Sequence, residues 1–144
     1  MDFSTIKLGD DNYPAMLAEI NGAPSKIHVR GKLPSEDKPA LAIVGTRKAS
    51  KASRDLARSV AKKLADAGVV VVSGLAMGID TEAHKGALDS NGLTIAVLGN
   101  GIDSVYPAQN EALANEIIES GGGIVSEYGT DEPSYKGRFI ERNR

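Results

Sequence analysis

Gly45-Thr46-Arg47-Lys48-Ala49-Ser50 gathers small residues, two hydroxyls, a guanidinium and an ammonium into one short loop. That set suits a phosphate, because backbone N–H groups at a helix start and a charged donor can converge on one anion. The loop lacks the P-loop spacing and its closing Lys-Ser/Thr pair, which argues against ATP hydrolysis. As a bare strand-to-helix connection it is equally well read as ordinary turn chemistry. Gly99-Asn100-Gly101 is a weaker signal: the third glycine of a dinucleotide fingerprint is missing, and the pair follows the third apolar run of the chain, not the first. Asp80 and His84 are four residues apart and share one helix face. A metal site needs further ligands, and no second His or carboxylate stands at ligand spacing. Asp80 is therefore read as a capping carboxylate and His84 as its hydrogen-bond partner, both structural.

Four short apolar runs must position these residues: Leu41 to Val44, Val69 to Val72, Ile95 to Leu98, and Ile124-Val125. Each stops at small residues: Gly45-Thr46, Ser73-Gly74, Gly99-Asn100-Gly101 and Ser126. Runs without polar alternation suit strands buried on both faces of a parallel sheet, with helices as crossovers. Their small-residue corners then share the carboxyl rim, where ligands of open α/β sheets bind. The spacing predicts helices over 51–67, 79–90 and 108–120. Ser50 is an N-cap for the first, which carries Leu56, Val60 and Leu64 beside Ala57, Ala61 and Ala65 as an apolar stripe. Gly68, Asn91-Gly92 and Gly121-Gly122-Gly123 are the respective stops. Residues 1–35 read as an N-terminal extension, with a short helix after Tyr13-Pro14 and a half-exposed strand at Ile27-His28-Val29-Arg30. A polar linker, Pro34 to Pro39, leads into a domain over 36–144.

The chain has 144 residues, no cysteine and a net charge of -2. It is long enough for one domain with a real core, and thiol chemistry, disulfides and Cys-ligated zinc are excluded. No apolar stretch approaches a bilayer span and Met1-Asp2-Phe3 does not begin a secretory signal, so a cytoplasmic location away from membranes is expected. The net charge hides an uneven distribution. Residues 47–63 carry Arg47, Lys48, Lys51, Arg54, Arg58, Lys62 and Lys63 against Asp55 alone, whereas 102–132 holds acidic residues and no Lys or Arg. The tail turns basic again at Lys136, Arg138, Arg142 and Arg144. A local basic face of this kind attracts a polyanion whatever the total charge; a charged helix face is also what solvation alone demands.

Taken together, the strings resemble the DNA-processing protein A family, also called DprA or Smf. Tyr13-Pro14, Gly45 to Ser50, Val71-Val72-Ser73-Gly74-Leu75-Ala76-Met77-Gly78-Ile79-Asp80, Ala83-His84, Gly86-Ala87-Leu88, Thr94 to Gly99, Gly101-Ile102-Asp103, Tyr106-Pro107, Ser126-Glu127-Tyr128 and Arg142-Asn143-Arg144 occur in that family's order. The resemblance implies an α/β, Rossmann-like three-layer sandwich with a mainly parallel sheet. It also implies a protein that binds and protects single-stranded DNA without catalysis, metal or cofactor, loads the recombinase RecA in natural transformation, and forms a homodimer. On that basis Arg47, Lys48 and Ser50, with Gly45 and Thr46, would hold backbone phosphates. Lys136, Arg138, Arg142 and Arg144 would close the pocket, Phe139 would offer a face to a base, and Ser73, Gly74, Gly78, Gly99 and Gly101 would let the strand approach the sheet.

The chain departs from the family pattern at Ala52-Ser53, where an aromatic-Gly pair is common, at Met77, where a basic residue is common, and at Ile140, where Pro is usual. Family domains also continue past the Arg-Asn-Arg string, so the domain reads as incomplete at its C-terminus: either a fragment, or a shortened product whose open sheet edge and apolar face must be managed by self-association. Two other functions fit the same fold class. A nucleotide-binding sensor would use the same rim. A phosphoribohydrolase of the LOG type would need a Pro-Gly-Gly-x-Gly-Thr loop and a Glu, and Gly121-Gly122-Gly123 with Glu127 matches it in part.

Overall fold

The computed structural model describes residues 2–144. Three crossovers built alike set its architecture. Strands β3 (Ala40–Ala42), β4 (Val70–Ser73), β5 (Thr94–Leu98) and β6 (Gly123–Ser126) alternate with helices α2 (Lys51–Asp66), α3 (Ile79–Asp89) and α4 (Glu111–Glu119). Neighbouring strands pair in parallel, Leu41 opposite Val71, Val72 opposite Ile95 and Ala96 opposite Ile124. Because each strand lies beside the previous one and such crossovers are right-handed, all three helices fall on one face of the sheet. The parity of the packing agrees. Val71 packs with Ala61, Ala83 and Ala87, and Ala96, Leu98 and Ile124 pack with Leu113, Ala114 and Ile117. The fold is Rossmann-like, with a mixed α/β, three-layer build.

The N-terminal extension does not stand before the sheet but enlarges it. The strand order is β1-β2-β6-β5-β4-β3, where β1 (Ser4–Lys7) and β2 (Lys26–Gly31) are antiparallel additions. Nothing in Ser4-Thr5-Ile6-Lys7 announces a strand; it forms because β2 offers it an edge. The expectation that Ile27 to Arg30 is half exposed is overturned: all four residues are buried. Ile27 and Val29 face the second core with Tyr13, Val70, Ile95 and Val125, while His28 and Arg30 lie under the opposite layer. Alternation of apolar and polar residues still reports two faces here, yet both are covered. A short helix, α1 (Ala15–Ala18), follows Pro14 and sits near the second core through Leu17.

Two further expectations need correction. Residues 108–120 form a 3₁₀ turn, Ala108–Asn110, before α4 begins, a common way to tighten a first turn. In α2 the stripe splits. Ala57 and Ala61 are buried where the helix meets α3, since only small side chains allow so close an approach, and the methylene and carbonyl of Gly86 and Arg58 touch there. Leu56 and Val60, beside the alanines, are left 65% and 39% exposed.

Candidate functional site

The carboxyl ends of β3, β4 and β5 open onto one cleft, and its inner wall is built by the turn Gly74-Leu75-Ala76-Met77-Gly78 between β4 and α3. Leu75 adopts φ 60, a left-handed conformation that costs a branched side chain energy. It is held there from both sides. Its N–H donates to His84 Nε2 at 3.3 Å and its carbonyl accepts from Asn110 Nδ2 at 2.7 Å. His84 must therefore carry its proton on Nδ1, which donates to Thr94 Oγ1 at 2.7 Å, and Thr94 in turn donates to the Val71 carbonyl. Full burial pushes the imidazole down to about 3, so it stays neutral and structural. The expected partnership of His84 with Asp80 is corrected: Asp80 bonds elsewhere.

The Asp80 carboxylate turns into the cleft floor and accepts from Gly45 N at 3.3 Å and Gly74 N at 3.0 Å. Burial raises its carboxyl above the ordinary value, against the pull of these donors and of Arg142. Arg142 comes from α5 (Lys136–Asn143), a helix that lies over the ends of β4 and β5. Its Nη1 donates to the carbonyls of Gly74 at 3.1 Å and Val97 at 2.9 Å. The glycines expected to admit a ligand admit the protein itself. A Cβ on Gly74 would meet Arg142 and Asp80, one on Gly99 would meet the Phe139 ring at 2.6 Å, and one on Gly78 would meet the carbonyls of Thr46 and Arg47. Gly45 is closed by Ile79 and Gly101 by the Gly129 carbonyl, while Ser73 Oγ donates to the Ile43 carbonyl. At the start of α3 the N–H groups of Ile79 and Thr81 donate to Thr46 and Ala76 carbonyls. The inner cleft thus satisfies many of its donors with its own groups.

Outside this floor the picture reverses. Gly45, Thr46, Arg47 and Lys48 are exposed, and Ser50 caps α2 by accepting from Ser53 N at 3.1 Å. Thr46 Oγ1 accepts from Lys48 N at 3.3 Å, so each hydroxyl already serves its own loop and keeps capacity for one more bond. The Arg47 guanidinium lies 5.2 Å from the centre of the Phe139 ring, and that ring tilts against Tyr106 at 5.9 Å. Arg47, Phe139, Tyr106, Pro107, Ala76 and Met77 line a cavity of about 60 Å³, which adjoins a larger one of about 640 Å³ between Arg47, Asp80 and Arg142.

Charge pairing divides the basic residues. Arg144 pairs with Glu127 at 3.2 Å, and Arg138 bonds Glu132 while stacking over Tyr128 and Tyr135. On α2, Lys51 pairs with Asp55, Lys62 with Asp66, and Arg58 with Asp89 and Glu82. Among the described residues of the loop, α2 and α5, Arg47, Lys48, Arg54, Lys63, Lys136 and Arg142 enter no ion pair. Lys136 is three residues before Phe139 on α5 and so shares its face. The structure therefore brings Arg47 and Phe139 to one mouth, holds Arg142 against the floor, and ties Arg138 and Arg144 to acidic partners. Ala76 and Pro107 entered the sequence reading only within the family strings, and Met77 only as a departure from the family pattern. Their signal was present, in a turn and an aromatic-Pro pair flanking the rim, but apolar residues there read as packing. No group of His, Asp and Glu fit for a metal ion and no helix long and apolar enough to cross a membrane occurs among the described residues.

Residues 4–144 match the family described as DNA recombination-mediator protein A. The chain belongs to that family. It is 41% identical to Protein Smf of Escherichia coli over 92% of its own length and 35% of that protein's. The crystal structure of DNA processing protein A from Streptococcus pneumoniae superposes with a TM-score of 0.89 at 40% identity, covering 98% of this chain and 49% of that one. A structure of DNA processing protein A from Helicobacter pylori, described in terms of its single-stranded DNA binding mode, superposes with a TM-score of 0.85 at 34% identity, over 98% of this chain and 62% of that one. The chain thus spans about half, or less, of most of these recombination-mediator relatives.

Proposed function

We propose that this chain binds single-stranded DNA along the outer rim of the cleft, without catalysis. The observation that carries the reading is the exposed Arg47 guanidinium, which enters no ion pair and lies over the Phe139 ring beside Tyr106, with Lys48 next to it in the loop and Lys136 on the Phe139 face of α5. Cations supply phosphate contacts indifferent to sequence, and aromatic faces supply stacking that every base can use. Arg142, Arg138 and Arg144 act as positioning residues: Arg142 ties α5 to β4 and β5, which sets Phe139 over Gly99. Family membership and the single-stranded DNA named for the Helicobacter pylori relative support the same reading. It extends to hand-over of the strand to RecA, in keeping with a family described as recombination mediators.

A nucleotide sensor or hydrolase is disfavoured by the same geometry. Several donors a mononucleotide phosphate would use, the N–H groups of Gly45, Gly74, Ile79 and Thr81, are taken by Asp80 and by loop carbonyls. Gly121 to Gly123 lie at the amino end of β6, the opposite rim from the cleft, and Glu127 is paired with Arg144. Fluorescence anisotropy with labelled oligo-dT, its duplex counterpart and AMP as competitor tests the proposal. Preference for the single strand, indifferent to AMP, is expected. Displacement by AMP, or no binding, would contradict it.

A further inference from the structure

We propose that a cavity at the rim opposite the cleft binds a small zwitterion, a molecule of the amino-acid kind that carries one carboxylate and one ammonium group. The cavity holds about 250 Å³ between β2 and α4 and is lined by Asp2, Arg30, Gly31, Asn115, Ile118 and Glu119. Gly31 stands opposite Gly123, where β6 begins, so the site lies at the other end of the sheet from Gly45 and Gly74. Its marker is Arg30. The residue is only 6% exposed, yet among the described residues it enters no ion pair, and its Nη1 is buried with no hydrogen-bond partner. Burial lowers its pKa from the ordinary arginine value, and the charge of Glu111 opposes that pull. The guanidinium stays protonated all the same. A buried charge without a partner is costly, and a planar fork of N–H donors is matched best by a carboxylate, through two parallel bonds.

The remaining wall has the opposite sign. Asp2 and Glu119 are exposed there, and neither enters an ion pair among the described residues. Glu119 is the last residue of α4, and the carboxyl end of a helix favours a cation. A plain anion would meet Arg30 but be repelled by these carboxylates; a plain cation would meet them but leave Arg30 unpaired. A zwitterion answers both, and Ile118 offers an apolar contact to the carbon chain between its charges. The backbone wall is fixed beforehand. Gly31 has φ 78, a Cβ there would run into the Gly122 carbonyl, and that carbonyl accepts from Lys32 N at 3.0 Å. A seat held in this way loses little freedom when a ligand enters.

Isothermal titration calorimetry of the full 144-residue chain tests this with two zwitterions, each beside its single-charge controls: glycine with acetate and methylammonium, and γ-aminobutyrate with butyrate and butylammonium. One saturable site for at least one zwitterion is expected, with its controls weaker by about tenfold, the worth of one charge-assisted contact. Arg30→Gln should weaken that binding by at least the same factor. Glu119→Gln changes an exposed position, so it keeps the test open if the Arg30 variant does not fold; the zwitterion should then bind no better than its carboxylate control. No saturable site for either zwitterion would overturn the proposal. A carboxylate control that binds the parent chain as tightly as its zwitterion would mark a simple anion site and overturn it equally, as would an affinity unchanged by Glu119→Gln.

Discussion

The floor and the mouth of the cleft are made from the same short motifs yet obey opposite rules. On the floor the polar side chains have internal partners: Asp80 on two glycine N–H groups, Arg142 on two carbonyls, His84 between Leu75 and Thr94. At the mouth the exposed Arg47 lies over the Phe139 ring, and the loop hydroxyls keep capacity for a further bond. A group that is already satisfied gains little from a ligand and loses much when its partner is removed, because an orphaned buried donor keeps its full desolvation cost. The two layers should thus separate cleanly, stability from the floor and binding from the mouth.

The separation breaks most visibly if floor substitutions prove harmless. Asp80→Ala leaves the N–H groups of Gly45 and Gly74 without their acceptor and removes the negative charge near Arg142, and should lower unfolding free energy by about 3 kcal/mol in urea titrations. Next in size is the pH response of His84. Its folded value of about 3 lies below the unfolded value near 6.5, so the unfolded chain takes up the proton first and stability falls as pH drops below that point. From pH 6.5 to 5 the loss should be about 2 kcal/mol, a step absent from His84→Asn. At the mouth, Arg47→Ala should weaken oligo-dT binding roughly tenfold, the worth of one charge-assisted contact, with the urea midpoint unmoved. The smallest effect is expected for Arg144→Ala: an exposed pair with Glu127 is lost, stability shifts by at most about 0.5 kcal/mol, and affinity is unchanged in the same anisotropy assay.

Most of the fold could be read from the chain because buried parallel strands leave uninterrupted apolar runs and their stops fall at glycine. Val70 to Ser73 and Thr94 to Leu98 lie within a residue or two of the runs that announce them. Strand β1 could not be, since Ser4 to Lys7 owes its conformation to pairing with β2 and not to its own pattern. Nor could the burial of Arg30 and His28, which depends on a layer contributed from distant residues. At the site, the loop Gly45 to Ser50 was visible as a phosphate cradle, but spacing cannot say which way a guanidinium points. Arg47 and Arg142 look alike in the sequence; both lie over the Phe139 ring, at 5.2 and 5.4 Å, and only Arg142 also bonds Gly74 and Val97 from within. The glycines were legible as close approaches, and the approaching groups turned out to be Phe139, Arg142 and neighbouring carbonyls.

The most direct test of the division is the salt dependence of oligo-dT affinity for the parent chain, Arg47→Ala and Arg144→Ala. Each phosphate contact contributes about 0.7 to the slope of log affinity against log salt on a single strand. The account predicts that Arg47→Ala flattens the slope by about that amount while Arg144→Ala leaves it as it was. A slope unchanged by Arg47→Ala in a well-folded variant, or flattened by Arg144→Ala, would contradict it.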